Sequence, residues 1–239
     1  MILFKQVSKS FADQATAINK LNLDIKEGDL WVITGPSGAG KTTLMKLLIG
    51  EYQPTEGEVL FENQSVHKLK GRHKENLRRQ IGVVFQDYKL IEDMNVWENI
   101  ALPLYIAGKK ETEIASRVTD LLNLIALPEK ALHFPKQLSG GEAQRVSIAR
   151  ALAMAPKVIF ADEPTGNLDK NSSIKIAKLL QKINELGTTL LFATHDENIV
   201  KVLSDAKRLD LSHSTSDDDD DDKKDSKKTK ASNKKEESK

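Results

Sequence analysis

The chain has 239 residues, 39% of them hydrophobic, which suffices for one large or two small domains around a sizeable core. Its 36 Lys and Arg stand against 35 Asp and Glu, so the net charge of +1 supplies no global basic field of the kind that draws a protein to nucleic acid, and none is expected as a partner. There is no cysteine, which rules out disulfides and thiolate-bound metal, and no apolar run nears the roughly 18–20 residues that span a bilayer. Work at a membrane therefore requires a partner already there.

The N-terminal stretch "MILFKQVSKSF" lacks a cationic segment followed by a long apolar one, so no secretory signal is expected. From residue 1 to about 33, the alternating stretches "ILFKQVSKSF" and "INKLNLDIKEGDLWVIT", with a turn at Glu27-Gly28-Asp29, predict a small β region. Glycine-rich residues 35–40 follow the strand "LWVIT". The next segment, "TTLMKLLIG", carries apolar residues at helical spacing and stops at Gly50, a natural C-terminal cap. Strand, glycine loop and helix in that order form the βα unit of a parallel sheet.

"GEVLFEN" predicts another strand, and the basic stretch 64–80 leads to the strand "IGVVFQ". That basic stretch reads either as a solvated helix face or as a surface for anionic lipid or an acidic partner segment. Residues 92–152 read as mostly helical, interrupted at Pro103, Pro128 and Pro135. "KVIFADE" and "TTLLFATHD" are buried-type strands flanking the helix "SSIKIAKLLQKINELG". The order is a β region, an α/β core, a helical insertion and a return to the core. Residues 1–211 form the domain, with a helical part at about 90–150. Residues 212–239, with six consecutive aspartates and a lysine-rich run, predict a disordered charged tail, either solubilising or partner-docking.

Two segments carry chemistry. "GPSGAGKT", residues Gly35, Pro36, Ser37, Gly38, Ala39, Gly40, Lys41 and Thr42, fits the phosphate-binding pattern G-x-x-x-x-G-K-[ST], with Thr43 next in the helix. Its glycines let backbone N–H groups turn around phosphate oxygens at a helix N-terminus; Lys41 reaches the β- and γ-phosphates, and the Thr42 hydroxyl is placed to ligate Mg²⁺. "KVIFADE" ends in Asp162-Glu163 at the strand's C-terminal end, the edge where open α/β sheets bind ligands. Adjacent strand residues point to opposite sides, so the two acids are expected to act differently: Asp162 to orient Mg²⁺ and Glu163 to polarise an attacking water.

A third segment, "LSGGEAQRVSIARAL", sets Ser139, Gly140 and Gly141 at the mouth of a helix, although paired glycines cost backbone entropy there. The P-loop, "LSGGE", the acid pair, "GNLD" and a histidine after a later strand, in this order and spacing, closely resemble the nucleotide-binding domain of the ABC ATPases. The resemblance covers nearly all the chain apart from the tail. It implies a P-loop NTPase fold with a RecA-like parallel-sheet core, an N-terminal antiparallel β region and an α-helical insertion. It further implies ATP and Mg²⁺ as ligands and a head-to-tail dimer, each ATP held between one subunit's P-loop and the other's LSGGE. Ser139, Gly140 and Gly141 would then donate to a γ-phosphate held by the neighbour.

By the same resemblance, Gln86 in "VVFQD" matches the glutamine that contacts Mg²⁺ and the attacking water. His195 in "ATHD" matches the histidine that bonds the γ-phosphate and positions Glu163, and Asp169 in "GNLD" matches the aspartate that bridges the two sites. Phe11 falls where the family usually has a tyrosine stacked on adenine; phenylalanine keeps the stacking face, while a core position is the competing reading. "DEPTGNLD" resembles the branch holding the FtsE cell-division, LolD lipoprotein-release and MacB ATPases. Within it, "GVVFQDYKLIEDMNVWENIALPL" most resembles the FtsE group. That implies a peripheral location on the cytoplasmic face of the inner membrane and an FtsX-like integral partner, with ATP turnover coupled to control of peptidoglycan hydrolysis. The alternatives are the ATPase of an importer, an exporter or a lipoprotein-release transporter of the LolD or MacB kind, and a soluble ABC protein acting on ribosomes or DNA.

Overall fold

A computed structural model describes residues 1–11 and 16–212. The tail expected from 212 lies, apart from Ser212 itself, outside the described residues. Strand β1 (Ile2–Ser10) pairs antiparallel with both β2 (Thr16–Ile25) and β4 (Glu56–Phe61), and the short β5 (Gln64–Ser65) extends β4. The second sheet is fully parallel, in the order β6 (Ile81–Val84), β7 (Val158–Asp162), β8 (Thr189–Ala193), β3 (Leu30–Thr34), β9 (Lys207–Asp210). The last of the N-terminal strand-like runs, "LWVIT", thus belongs to the parallel sheet rather than to the antiparallel one.

The parallel strands read as unbroken apolar runs because both their faces are covered. Ile159 and Ala161 of β7, with Leu190 and Phe192 of β8, face a core shared with the helical elements, whereas Val158, Phe160, Leu191 and Ala193 face the antiparallel sheet and helix α1 (Lys41–Leu48). All of these side chains are essentially inaccessible to solvent. The period-two alternation therefore glues two layers to one sheet.

Between β4 and β6 lies the basic helix α2 (Gly71–Arg79), attached mainly through buried Leu77. The helical insertion comprises α3 (Val96–Ile106), α4 (Glu111–Leu124) and α5 (Gly140–Leu152). Pro128 and Pro135 each open a single 3₁₀ turn, as expected of helix breakers. Pro103 does not interrupt: it lies inside α3, one turn from its end, where a single N–H is forgone while Ile100, Ala101 and Leu104 stay buried. Its carbonyl accepts from Ala107 N at 3.1 Å, closing the last turn. Helices α6 (Lys170–Glu185) and α7 (Glu197–Val202) complete the order.

Because the five strands run parallel, the loops after β3, β6, β7 and β8 emerge at one sheet edge. That edge gathers Gly35–Lys41, Gln86, Glu163 and His195, residues separated by up to 160 positions in the chain. Among the described residues no helix is long and apolar enough to cross a membrane.

Candidate nucleotide site

Loop 35–40 turns directly from β3 into α1. Gly40 sits at φ +96°, and a Cβ there would come within 2.3 Å of the Ala17 carbonyl oxygen, so both conformation and space demand glycine. Ala39 N donates back to Pro36 O at 3.2 Å, and Leu44 N to Gly40 O at 2.8 Å, which starts the helix at the loop's end. Ser37, Gly38, Gly40, Lys41, Thr42 and Thr43 line a cavity of about 200 Å³ whose opposite wall is Gln86, Asp162 and Glu163.

Lys41 is 5% exposed. Its Nζ donates to Gly35 O at 2.7 Å and to Pro36 O at 3.0 Å, and it lies 3.1 Å from Glu163 Oε1. Thr42 Oγ1 donates to Asp162 Oδ2 at 2.7 Å. The other oxygen, Asp162 Oδ1, is buried and accepts no hydrogen bond among the described residues. Burial, aided by the neighbouring Glu163 charge, pushes the Asp162 carboxyl above its ordinary range, and the Thr42 bond only partly opposes this. A buried, half-satisfied carboxylate invites a cation. The oxygens available around it are the Thr42 hydroxyl, the Asp162 carboxylate and the Gln86 amide, a hard set that fits Mg²⁺.

Glu163 differs from Asp162 for another reason than strand alternation. The strand ends at Asp162, and Glu163 has already turned to φ +51°, a conformation rare for a non-glycine residue and common at functional sites. Its N–H donates to Ala193 O at 3.0 Å, anchoring the turn to β8. Its carboxylate then spans two groups: Oε1 meets Lys41, and Oε2 meets His195 Nδ1 at 2.6 Å. His195 is 60% exposed at its side chain and belongs, with Glu163, to a second cavity on the far side of that carboxylate.

The remaining expected residues lie elsewhere. Ser139 caps α5: its Oγ donates to Glu142 Oε2 at 2.8 Å and accepts from Glu142 N at 3.4 Å, while Ser139 N donates to Glu142 Oε2 at 2.8 Å. Those bonds hold the Glu142 carboxyl below its ordinary range. Neither Ser139 nor Gly140 nor Gly141 lines the phosphate cavity of its own chain. Asp169 caps α6 by accepting from Asn171 N at 2.9 Å and Ser172 N at 3.0 Å, which lowers its carboxyl. Phe11 is 37% exposed and stands edge-on to Tyr52, centroids 5.5 Å apart, with Lys9 Nζ 5.2 Å above its ring; it is not a core residue.

Two residues of this site carry no assignable sequence signal. Asn167, inside "GNLD", bonds Gln86 through both its amide ends. Arg150, in the last turn of α5, donates to Tyr88 O at 2.8 Å and Lys89 O at 2.6 Å, clasping two consecutive non-glycine residues at φ +60° and +51°. Their partners lie at least 51 residues away in sequence, beyond the reach of any local pattern.

The model of the ABC transporter family matches residues 18–166. The cell division ATP-binding protein FtsE of Bacillus subtilis is 43% identical over 203 residues, covering 85% of this chain and 89% of the relative. The protein of the same name from Escherichia coli is 45% identical over 200 residues, covering 84% of this chain and 90% of its own. Among solved structures, the ATP-binding cassette MJ0796, a dimer in a post-hydrolysis state bound to ADP and Pi, matches with a TM-score of 0.76 at 39% identity, covering 84% of this chain and 91% of that one.

Proposed function

The chain belongs to the ABC transporter family of ATP-binding proteins, and from that membership and the site's geometry we propose that it is the ATP-hydrolysing subunit of an FtsE-like membrane complex acting in cell division. The observation that carries the chemistry is Glu163: one carboxylate held between the cation of the phosphate cradle and an exposed histidine.

Lys41 leaves Glu163 for the β- and γ-phosphates when ATP enters, because a triphosphate offers more negative charge than one carboxylate. The loop amides and the α1 N-terminus receive the remaining phosphate oxygens. Thr42, Asp162 and Gln86 would hold Mg²⁺, which supplies charge neutralisation across the phosphates when bound. Glu163, released from Lys41, accepts a hydrogen bond from the attacking water and polarises it, and His195 fixes its second oxygen. Phe11 offers a ring to the base. Ser139, Gly140 and Gly141, absent from their own chain's phosphate cavity, serve the ATP of a second copy in a head-to-tail dimer, with Asp169 near the junction.

The membrane partner has a surface to meet. Between α2, β6 and the helical insertion runs a cleft of about 470 Å³ lined by Ile81, Phe85, Ile91, Ile106 and Met154, with Arg78, Arg79 and Lys89 on its rim. Ile106 is 70% exposed at its mouth. This supports docking of a short amphipathic cytoplasmic segment of an FtsX-like protein, and with it a peripheral place on the cytoplasmic face of the inner membrane. Affinity capture of the native membrane partner tests the assignment: a four-span FtsX-like protein supports it, and a transport permease or lipoprotein-release partner overturns it. Lys41→Ala tests the chemistry, and turnover equal to the unmodified chain would contradict it.

A further inference from the structure

We propose that Asn167 is a positioning residue that fixes which end of the Gln86 amide faces the phosphate cavity; the inference rests on the ATPase reading of that cavity. Gln86 is exposed and has left β6 by two residues, so nothing in its own strand determines its side-chain orientation. A carboxamide has a donor end and an acceptor end, and only the acceptor can meet a cation. For a glutamine expected to touch Mg²⁺, the two orientations are opposite in sign.

The structure resolves the choice through a chain of one-way bonds. The backbone carbonyl of Gln86 can only accept, and Asn167 Nδ2 donates to it at 3.1 Å. That fixes Asn167 Oδ1 as the remaining end, an acceptor. Gln86 Nε2 donates to it at 3.3 Å. The donor end of Gln86 is thereby consumed, and Oε1 accepts no hydrogen bond among the described residues while the side chain lines the cavity with Thr42 and Asp162. Asn167 Nδ2 thus acts as a polarity key that turns the Gln86 oxygen towards the site.

Gly166 makes room for this. A Cβ there would stand 2.8 Å from Gln86 Nε2 and 3.0 Å from Cδ, closer than nonbonded atoms approach. Gly166 N donates to Glu163 O at 3.0 Å, so the turn that presents Asn167 is the one that begins at Glu163. The asparagine therefore follows directly on the turn that carries the carboxylate, and its two bonds to Gln86 tie the end of β7 to the loop after β6.

Asn167→Ala removes both bonds; Asn167→Asp keeps the size and the acceptor for Gln86 Nε2 but loses the donor to Gln86 O. In the full chain, Asn167→Ala is expected to lower kcat and to raise the Mg²⁺ concentration for half-maximal turnover by about tenfold, as loss of a metal's outer partners does, with nucleotide affinity measured without Mg²⁺ unchanged. Asn167→Asp, whose carboxylate still accepts from Gln86 Nε2, should shift the Mg²⁺ midpoint less than Asn167→Ala, and Gly166→Ala, which displaces the same amide, should shift it in the same direction as Asn167→Ala. Because the effect passes through Gln86, Asn167→Ala added to Gln86→Ala should cost nothing further. An Asn167→Ala chain with the original Mg²⁺ midpoint, or losses that multiply with Gln86→Ala, would overturn the proposal. Failure of the ATPase reading looks different: the unmodified chain would then show no Mg²⁺-dependent turnover for any of these variants to change.

Discussion

Lys41 Nζ lies 3.1 Å from Glu163 Oε1, so the cation of the glycine loop and the carboxylate proposed to polarise water neutralise each other across the cavity. Both are largely withdrawn from solvent, with side chains 6% and 14% exposed. In the proposed mechanism a triphosphate exchanges this pair, taking the cation and freeing the carboxylate in one event.

Glu163→Gln removes the competitor for Lys41 while keeping a hydrogen-bonding side chain of the same shape. ATP should bind more tightly than to the unmodified chain, and turnover should fall by about a hundredfold or more, the loss expected of a general base. Equilibrium binding of a fluorescent ATP analogue, alongside phosphate release, checks both halves. Weaker binding would contradict the exchange.

Asp162 gives the pH dependence. Its native carboxyl titrates above the ordinary aspartate range, so between the unfolded and native values the unfolded chain is ionised while the folded one keeps its proton. The folded state loses stability as pH rises through that window. Asp162→Asn does not titrate, so without nucleotide its melting temperature should gain on the unmodified chain as pH rises from acid to neutral. A gap that narrows instead would reverse the sign and the burial argument with it.

The helix opening of α5 should be measurable by itself. Ser139→Ala removes an N-cap and is expected to cost about 1 kcal/mol. In a domain of this size that lowers the melting temperature by about 2–4 °C. Calorimetry checks it, and an unchanged melting temperature would mean the hydroxyl bonds contribute nothing to folding.

Arg150→Ala leaves the Tyr88 and Lys89 carbonyls without their clasp in a backbone turn that is already strained. The expected cost is about 1.5–3 kcal/mol, the range for hydrogen bonds to a charged group. Arg150→Lys should recover only part, since two coplanar guanidinium nitrogens each meet one carbonyl, and a single ammonium nitrogen on a shorter side chain cannot occupy both of their positions. Full recovery of stability in Arg150→Lys would remove the geometric argument.

The phosphate cradle was legible because its chemistry is local: eight successive residues bend one loop onto one helix. Asp162 and Glu163 were legible as a pair at a strand end, but not the turn of Glu163 to φ +51°, which is held by a bond to Ala193 thirty residues on. Pro103 misled because a helix tolerates a proline when three neighbouring side chains are buried. Asn167 and Arg150 escaped altogether, since an asparagine in a turn and an arginine on a helix are ordinary until the fold supplies carbonyls for them.

In the proposed dimer, "LSGGE" of one copy completes the ATP site of another. Two chains, both Glu163→Gln, carry Ser37→Cys in one and Ser139→Cys in the other; the natural sequence has no cysteine to interfere. Mixed and oxidised with Mg²⁺ and ATP, they should yield a covalent dimer containing one of each, and no such product without nucleotide. A mixed dimer whose yield ignores ATP, or disulfides formed only between identical chains, would contradict the head-to-tail site.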